Sequence, residues 1–269
     1  MITLASDFGS PYPAAMKAVA LRETDAQLVD VAHDLPRQDV RAAAFWLTEV
    51  LPWFPPAVHL AVIDPGVGTD RNALALRAGR HALVGPDNGV LAPVARAIAR
   101  QHAYESGEAG GDPADRVDAF RIGDADAASS TFHGRDVFAP AAGRIHEVGL
   151  GGMDEMERLT PVEDYADLRL PDPELREDGA RGEVLVVDGF GNVITNVPGE
   201  ALDGVDAVRV AGGSTDGDRI PVVETFARVE PGERLATVGS HGNVELDVNR
   251  GRGDEAFGLE SGDAVELRW

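Results

Sequence analysis

The residues best suited to chemistry lie in one short stretch, VIDPGVGTDR, which covers residues 62–71. An apolar run precedes Asp64, and a turn rich in glycine then leads to Arg71. Ligands of open α/β sheets bind beyond the carboxyl ends of the strands, so an acid at a strand end is a candidate site residue. The alternative is a strand-ending turn with a surface ion pair, and this stretch alone leaves both interpretations open.

Two other polar positions could complete such a site. Asp7 follows a predicted strand at residues 2–6, where nucleotide-binding α/β folds place acids that bind ribose hydroxyls. A helix N-cap aspartate would look the same in the sequence. His133 lies in a second polar cluster, TFHGRD. An aspartate, an arginine and a histidine can together polarise a water, because the arginine stabilises hydroxide and the acid accepts its proton.

Other kinds of catalytic site find little support. The chain has no cysteine, which excludes disulfides, thiolate catalysis and cysteine-ligated metals. It contains no P-loop, no G-x-S-x-G and no H-E-x-x-H motif, and its histidines are scattered. We therefore expect no metal and no cofactor. A magnesium site built from Asp7, Asp34 and Asp64 remains an open alternative, since carboxylates are the ligands that Mg²⁺ prefers.

The charge of the chain is unusual. Its 46 acids against 24 bases give a net charge of −22, and Lys17 is the single lysine. The acids are spread along the chain, which argues against an acidic partner-binding tail. At ~1 M salt the Debye length falls to about 3 Å, so a salt-rich cytoplasm would screen the self-repulsion. The composition predicts a halophilic source, expected to be haloarchaeal.

The same composition constrains partners and location. A strongly negative surface repels phosphate backbones and anionic lipids, so we expect no nucleic-acid partner and no membrane partner. No apolar run approaches the ~18 residues of a membrane span. The first residues, MITLASDFGS, lack the basic and apolar regions of a secretion signal. We expect a cytoplasmic protein.

The hydrophobic pattern predicts two domains of different class. Strands and helices alternate in the first part, which predicts an α/β domain with a mostly parallel central sheet flanked by helices. Short strand candidates separated by Gly, Asp and Asn turns follow, which predicts an all-β, barrel-like domain. We place the α/β domain at residues 1–165, a proline-bearing linker at 166–182 and the antiparallel β domain at 183–269.

Seven motifs, in order along nearly the whole chain, carry a family resemblance. They are SDFGSPYPAAMKAV (6–19), VDVAHDLPRQDV (29–40), VIDPGVGTDR (62–71), VGPDNGVL (84–91), TFHGRDVFAPAA (131–142), VDGFGNVITN (187–196) and GSHGNVELDVN (239–249). With these motifs the chain resembles the S-adenosyl-L-methionine (SAM) hydroxide adenosyltransferases. These are adenosine-forming SAM hydrolases related to the fluorinase and chlorinase enzymes.

The resemblance implies roles for residues of the first domain. Asp64, Arg71 and His133 match the set that positions the attacking water or hydroxide, and Asp7 matches the acid that binds the ribose diol. The halogenating relatives carry a tyrosine in place of Asp64 and a serine in place of Gly134. Because both replacements are absent, the resemblance favours hydrolysis of SAM to adenosine and L-methionine.

It also implies substrate contacts from the second domain and an assembly. Asp188 and Asn192 match positions that contact the methionine amino group and the adenine. Phe226 matches an aromatic that packs on the adenine, Ser240 a contact to the methionine carboxylate, and Asn249 a position near the adenine edge. The family forms homotrimers, with each site between the N-terminal domain of one subunit and the C-terminal domain of its neighbour. SAM is the substrate, and no cofactor is needed.

Two other functions remain open at this point. One is transfer of a halide, chloride above all, from solution to the adenosyl group of SAM. The other is non-catalytic binding of SAM or adenosine, since the binding residues could persist without turnover.

Overall fold

The computed structural model describes residues 1–108, 110–123 and 131–269. Within these ranges the chain divides into two compact units, Met1–Arg169 and Leu170–Trp269. No helix in the described ranges is long and apolar enough to cross a membrane.

The first unit is built from strands and helices that alternate over most of its length. Its strands are β1 (Ile2–Ser6), β2 (Leu28–Ala32), β3 (Val58–Val62), β4 (Ala73–Ala78), β5 (His81–Pro86), β6 (Val117–Ile122) and β7 (Leu159–Val162). Its α-helices are α1 (Tyr12–Ala20), α2 (Val40–Val50), α3 (Ala92–Glu105) and α4 (Ala139–Val148). A π-helical turn, Gly134–Phe138, precedes α4.

The sheet of this unit has a parallel core and antiparallel edge strands. In the described residues its order is β2-β1-β3-β5-β4-β6-β7. The first four strands in this order pair in parallel, whereas β4, β6 and β7 pair antiparallel. Every residue of β1 and β3 is buried, as expected for strands covered by helices on both faces. The predicted α/β class with a mostly parallel central sheet is confirmed.

The second unit is an antiparallel, nearly closed barrel, as the sequence predicts. Its strands are β8 (Glu174–Arg176), β9 (Gly179–Val187), β10 (Val193–Pro198), β11 (Ala207–Gly212), β12 (Thr215–Pro221), β13 (Arg234–Val238), β14 (Asn243–Val248) and β15 (Ala264–Arg268). The strand order β12-β11-β15-β9-β10-β14-β13 is antiparallel at each pairing in the described residues, and a short helix, α5 (Gly253–Phe257), follows β14.

Some strands could not be predicted from the sequence pattern. Strand β6 has charged residues at two of its six positions, and β7 has only four residues, one of them a proline. Strands β10 and β13 had no predicted counterpart. The stretch 166–182, predicted as a linker, contains β8 and the beginning of β9. Both strands pair with each other and were hidden by the polar composition of this stretch. The domain limits themselves stay a prediction.

Strand β14 carries two buried acids. Glu245 is 7% and Asp247 0% exposed. Burial, then the negative charges of Glu245 and Asp188, raises the pKa of Asp247 to about 8. Burial, then Asp188, raises the pKa of Glu245 to about 6. Asp247 is therefore protonated at neutral pH.

We predict that Asp247 makes the stability of the protein fall with rising pH. The unfolded chain releases this proton near pH 3.8, whereas the folded chain keeps it until about pH 8, so stability is lost between these values. Asp247→Asn should match wild type near pH 4 and exceed its free energy of unfolding at pH 8 by ~5 kcal/mol, since each of the roughly four pH units between the two pKa values costs the wild type about 1.4 kcal/mol. Urea unfolding in concentrated KCl across this range measures the difference. An identical pH slope in both proteins would contradict the prediction.

Candidate active site

The pairing of β1 with β3 brings two acids to one edge of the sheet. Ser6 pairs with Val62 in parallel register, so that Asp7 and Asp64 both follow the carboxyl ends of adjacent strands. Both acids line one cavity of about 570 Å³. Its walls are formed by Asp7, Phe8, Tyr12, Arg37, Gln38, Asp64, Val67, Thr131, Phe132 and Arg135. Of the predicted site residues, Asp7 and Asp64 thus share a cavity of the first unit.

Asp64 and Arg71 form a buried ion pair. The Nη2 of Arg71 donates to Oδ2 of Asp64 at 2.5 Å, and the side chains are only 13% and 7% exposed, respectively. Two consecutive turns return the chain to the acid, with the amide of Val67 donating to the carbonyl of Asp64 and that of Thr69 to Gly66. The alternative of a surface ion pair is therefore wrong.

The ion pair retains one acceptor and one donor without partners. In the described residues, Oδ1 of Asp64 and Nε of Arg71 are buried and make no hydrogen bond. Buried polar atoms are nearly always satisfied, often by a water. Burial raises the pKa of Asp64, and the charges of Arg71 and His133 only partly offset this effect. The raised pKa makes Asp64 a stronger base than an exposed aspartate.

His133 joins this pair from another part of the chain. It immediately precedes the π-helical turn Gly134–Phe138, and such turns occur frequently at functional sites. Its effect on the pKa of Asp64 places it in the electrostatic environment of the acid. The structure thus brings Asp64, Arg71 and His133 together, although they come from two separate sequence motifs.

Asp7 is held by the backbone of a neighbouring loop. Its Oδ2 accepts a hydrogen bond from the amide of Gln38 at 2.7 Å. Helix α1 begins after Pro11, which makes no side-chain capping bond. The alternative that Asp7 caps this helix is therefore wrong.

The cavity also has an aromatic wall that the sequence did not reveal. Phe8, Tyr12 and Phe132 pack edge to face, with ring centroids 5.5–6.1 Å apart. The guanidinium of Arg135 lies 5.4 Å from the centre of the Phe132 ring. A flat apolar ligand fits such a surface. Two predicted motifs contain these rings, but only the tertiary structure places them side by side.

The predicted residues of the second unit lie in loops and turns of the barrel. Asp188 accepts hydrogen bonds from the amide and the side-chain Nδ2 of Asn192, at 2.9 and 3.0 Å. Phe226 begins a short 3₁₀ turn and is 37% exposed, and Ser240 lies in the turn after β13. Asn249 donates to the carbonyl of Val229 at 2.7 Å. Only Asp188 and Asn192 are joined directly by these bonds.

Charge near Asp188 was missed by the sequence analysis. Asp188 acts electrostatically on His241, Glu245 and Asp247. The last two acids lie in an alternating strand pattern, which gave no reason to expect both faces of β14 to be buried.

The magnesium site considered as an alternative does not form. No three His, Asp or Glu side chains in the described ranges form a possible ion site, and this includes Asp7, Asp34 and Asp64.

Comparisons with known proteins give consistent matches. Residues 2–153 match the SAM hydroxide adenosyltransferase N-terminal domain, and residues 182–266 match the C-terminal domain of the same family. A protein of Thermus thermophilus named (R)-S-adenosyl-L-methionine hydrolase is 42% identical over 97% of both chains. A Salinispora tropica protein of the same name is 39% identical over 99% of this chain and 97% of its own.

Solved structures agree with this picture. The crystal structure of an uncharacterized conserved protein from Thermotoga maritima has a TM-score of 0.83 and 31% identity, with both chains fully covered. That of a conserved hypothetical protein from Thermus thermophilus has a TM-score of 0.72 and 40% identity, covering 99% of this chain and 98% of its own.

We predict that a side chain at residue 134 destabilises this structure. A Cβ atom at Gly134 would lie 2.8 Å from Sδ of Met16 and 3.1 Å from the Phe132 ring. Gly134→Ala should therefore lower the free energy of unfolding by ~1–3 kcal/mol, as overpacking does. Thermal unfolding measures the loss, and the added change Met16→Ala should recover part of it relative to Met16→Ala alone. Gly151→Ala is the control, because its Cβ meets nothing within 4 Å.

Proposed function

The chain belongs to the SAM hydroxide adenosyltransferase family, and from this premise we propose that it hydrolyses SAM to adenosine and L-methionine. It is thus an enzyme of the same kind as the (R)-S-adenosyl-L-methionine hydrolases that it matches over nearly their full length. The observation that carries the proposal is the buried Asp64–Arg71 pair, which offers an unpaired acceptor and donor beside the cavity that Asp7 also lines.

The reaction needs an oxygen nucleophile more than it needs an acid. Water attacks C5′ of the ribose, an O–C5′ bond forms, and the C5′–S bond breaks with its electrons going to sulfur. Methionine leaves as a neutral thioether, so no group has to protonate it. The surplus proton of the water goes to Asp64 and from there to solvent. Holding the water in line with the C5′–S bond can supply several kcal/mol of the barrier.

We assign each polar group a part in this step. Oδ1 of Asp64, which has no partner among the described residues, accepts a hydrogen bond from the water and then its proton. Arg71 and His133 hold the water and keep the acid ionised, since both lower the pKa that burial raises. Asp7 binds the ribose hydroxyls. Asp188, Asn192, Phe226, Ser240 and Asn249 bind the methionine end and the adenine.

Two alternatives fit the residues less well. A halide transferase would have to bind an anion next to Asp64, whose charge repels it. The serine of the halogenating relatives at residue 134 would also require the side chain of Met16 to shift. A non-catalytic SAM-binding protein would have no need for a buried Asp–Arg pair whose two remaining polar atoms are unpaired in the described chain.

Assembly and setting complete the proposal. We propose a homotrimer with the site between the first domain of one subunit and the second domain of the next, as the family resemblance implies. A halophilic source is proposed from the net charge of −22, which a salt-rich cytoplasm would screen.

Incubation with SAM in concentrated KCl tests the proposed reaction. Chromatography should show adenosine and methionine as the products. Formation of 5′-chloro-5′-deoxyadenosine faster than adenosine would instead establish a halide transferase. Recovery of unchanged SAM, with binding detected by calorimetry, would establish a binding protein.

We predict that Asp64→Asn separates binding from turnover. The amide keeps the size of the side chain but cannot accept the proton, so turnover should fall by ~10²-fold or more. The affinity for adenosine, measured by calorimetry, should remain close to that of wild type. Asp70→Asn is a suitable control, since it changes an exposed acid of the same turn. Undiminished turnover of Asp64→Asn would refute the role of Asp64 as base.

A further inference from the structure

The motif VDVAHDLPRQDV has no role in the mechanism above, yet its loop surrounds the predicted ribose acid. We call residues 33–38 the 33–38 loop. It follows β2 and precedes α2, and β2 is the edge strand beside β1. Asp7 lies in the turn after β1, so the loop and the acid are neighbours at the same end of the sheet.

The backbone of the 33–38 loop is bonded to each side of Asp7. Before the acid, the carbonyl of Ser6 accepts from the amide of Leu35 at 3.3 Å, and after it the amide of Gly9 donates to the carbonyl of His33 at 2.8 Å. The acid itself accepts from the amide of Gln38.

Gln38 adopts an unusual backbone conformation to make this bond. Its φ of +61° lies in the left-handed region, which residues with a Cβ rarely enter. Such conformations cost of order 1–3 kcal/mol and cluster where a structure must place a group for function. Here the conformation presents the Gln38 amide to one carboxylate oxygen of Asp7, which leaves the other oxygen for a ligand.

The side chain of His33 forms further hydrogen bonds, which connect Ser6 to charged side chains. Its Nδ1 lies 2.7 Å from Oγ of Ser6, and its Nε2 lies 2.9 Å from Oδ1 of Asp30. Asp30 in turn accepts from Nζ of Lys17 at 2.5 Å. Burial acts to raise the pKa of Asp30, but the hydrogen bonds with Lys17 and His33 hold it below its usual range. Because an ionised carboxylate only accepts, Nε2 carries a proton, and in the neutral ring Nδ1 then accepts from the Ser6 hydroxyl.

This serine, histidine and aspartate are not a nucleophilic triad. Ser6 is completely buried, so no substrate can reach its hydroxyl. The hydroxyl is also hydrogen-bonded to His33. Ser6 lies one residue before Asp7, the acid that lines the cavity. The series of hydrogen bonds that runs from Lys17 through Asp30 and His33 to Ser6 is therefore suited to fixing the position of a turn and not to nucleophilic attack.

We propose that His33 is a positioning residue for Asp7. It holds the turn from Ser6 to Gly9 by its ring on one side of the acid and by its carbonyl on the other, so that Asp7 meets the 2′- and 3′-hydroxyls of the ribose in a fixed orientation. The inference rests on the proposed function, in which Asp7 binds the ribose diol.

The experiment compares two ligands in calorimetric titrations, adenosine and 2′,3′-dideoxyadenosine. They differ only in the hydroxyls that Asp7 is proposed to bind, so the ratio of their affinities reports on Asp7. A general loosening of the fold weakens both ligands alike and leaves the ratio unchanged. The ratio therefore separates positioning of Asp7 from a structural role.

Two substitutions of His33 distinguish the hydrogen bonds of its two ring nitrogens. The amide of His33→Asn reaches the position of Nδ1 and can still accept from Ser6, whereas that of His33→Gln reaches the position of Nε2 and leaves Ser6 without an acceptor. We expect His33→Gln to lower the affinity ratio by about fivefold to tenfold, the loss of a hydrogen bond of ~1 kcal/mol or slightly more. His33→Asn should stay within about twofold of wild type, because a loss of 0.4 kcal/mol is about twofold.

Two further variants check the cause. Ser6→Ala should lower the ratio as His33→Gln does, and the double variant should lose no more than either single one, since both remove the same bond. His146→Gln is the matched control. Its Nδ1 also lies 2.8 Å from a hydroxyl, that of Thr24, but neither Thr24 nor its chain neighbours line the cavity, whereas Ser6 precedes Asp7, which does. The ratio for His146→Gln should therefore equal that of wild type.

Asp7→Ala makes the possible failures distinguishable. If Asp7→Ala abolishes the preference for adenosine while His33→Gln and Ser6→Ala keep it, the positioning role is wrong and the ribose site stands. If Asp7→Ala itself keeps the preference, both the ribose assignment and the positioning role are wrong, although SAM hydrolysis by the wild type is unaffected by that result. Should His33→Gln fail to fold, Ser6→Ala decides the question alone.

Discussion

The register between β1 and β3 is the constraint on which the rest of the site depends. Because Ser6 pairs with Val62 in parallel, both chains leave the sheet at the same edge, each followed within two residues by an aspartate. Both strands are buried on both faces, so a shift in register would disrupt the packing of every side chain and is strongly disfavoured. The positions of Asp7 and Asp64 relative to each other are thereby constrained by the core of the domain.

Burial determines the strength of the Asp64–Arg71 ion pair and the basicity of its aspartate. An Asp–Arg pair on the surface contributes little and is screened by salt, whereas this pair is mostly withdrawn from solvent. Burial makes the aspartate more basic, and the charges of the neighbouring arginine and histidine partly offset the rise of its pKa. The chain contains 46 acids, and burial also sets the carboxylate of Asp64 apart from the negative charge of the others.

The sequence revealed the acids more readily than the groups that hold them. Asp7 and Asp64 follow apolar runs, so their positions at strand ends could be predicted from local patterns alone. The family resemblance supplied His133, which lies in a distant motif. Gln38 and His33 could not be predicted as partners of Asp7, because their hydrogen bonds depend on which strands are neighbours and on a left-handed residue. Local periodicity carries no information of either kind.

The close packing of Gly134 constrains how such an enzyme can evolve. A side chain at this position meets the sulfur of Met16, a residue of α1 that is completely buried. A serine at residue 134, as found in the halogenating relatives, would be accommodated most easily after residue 16 became smaller or the Met16 side chain moved. Packing thus links what evolution can do at the two positions, although they lie in different elements.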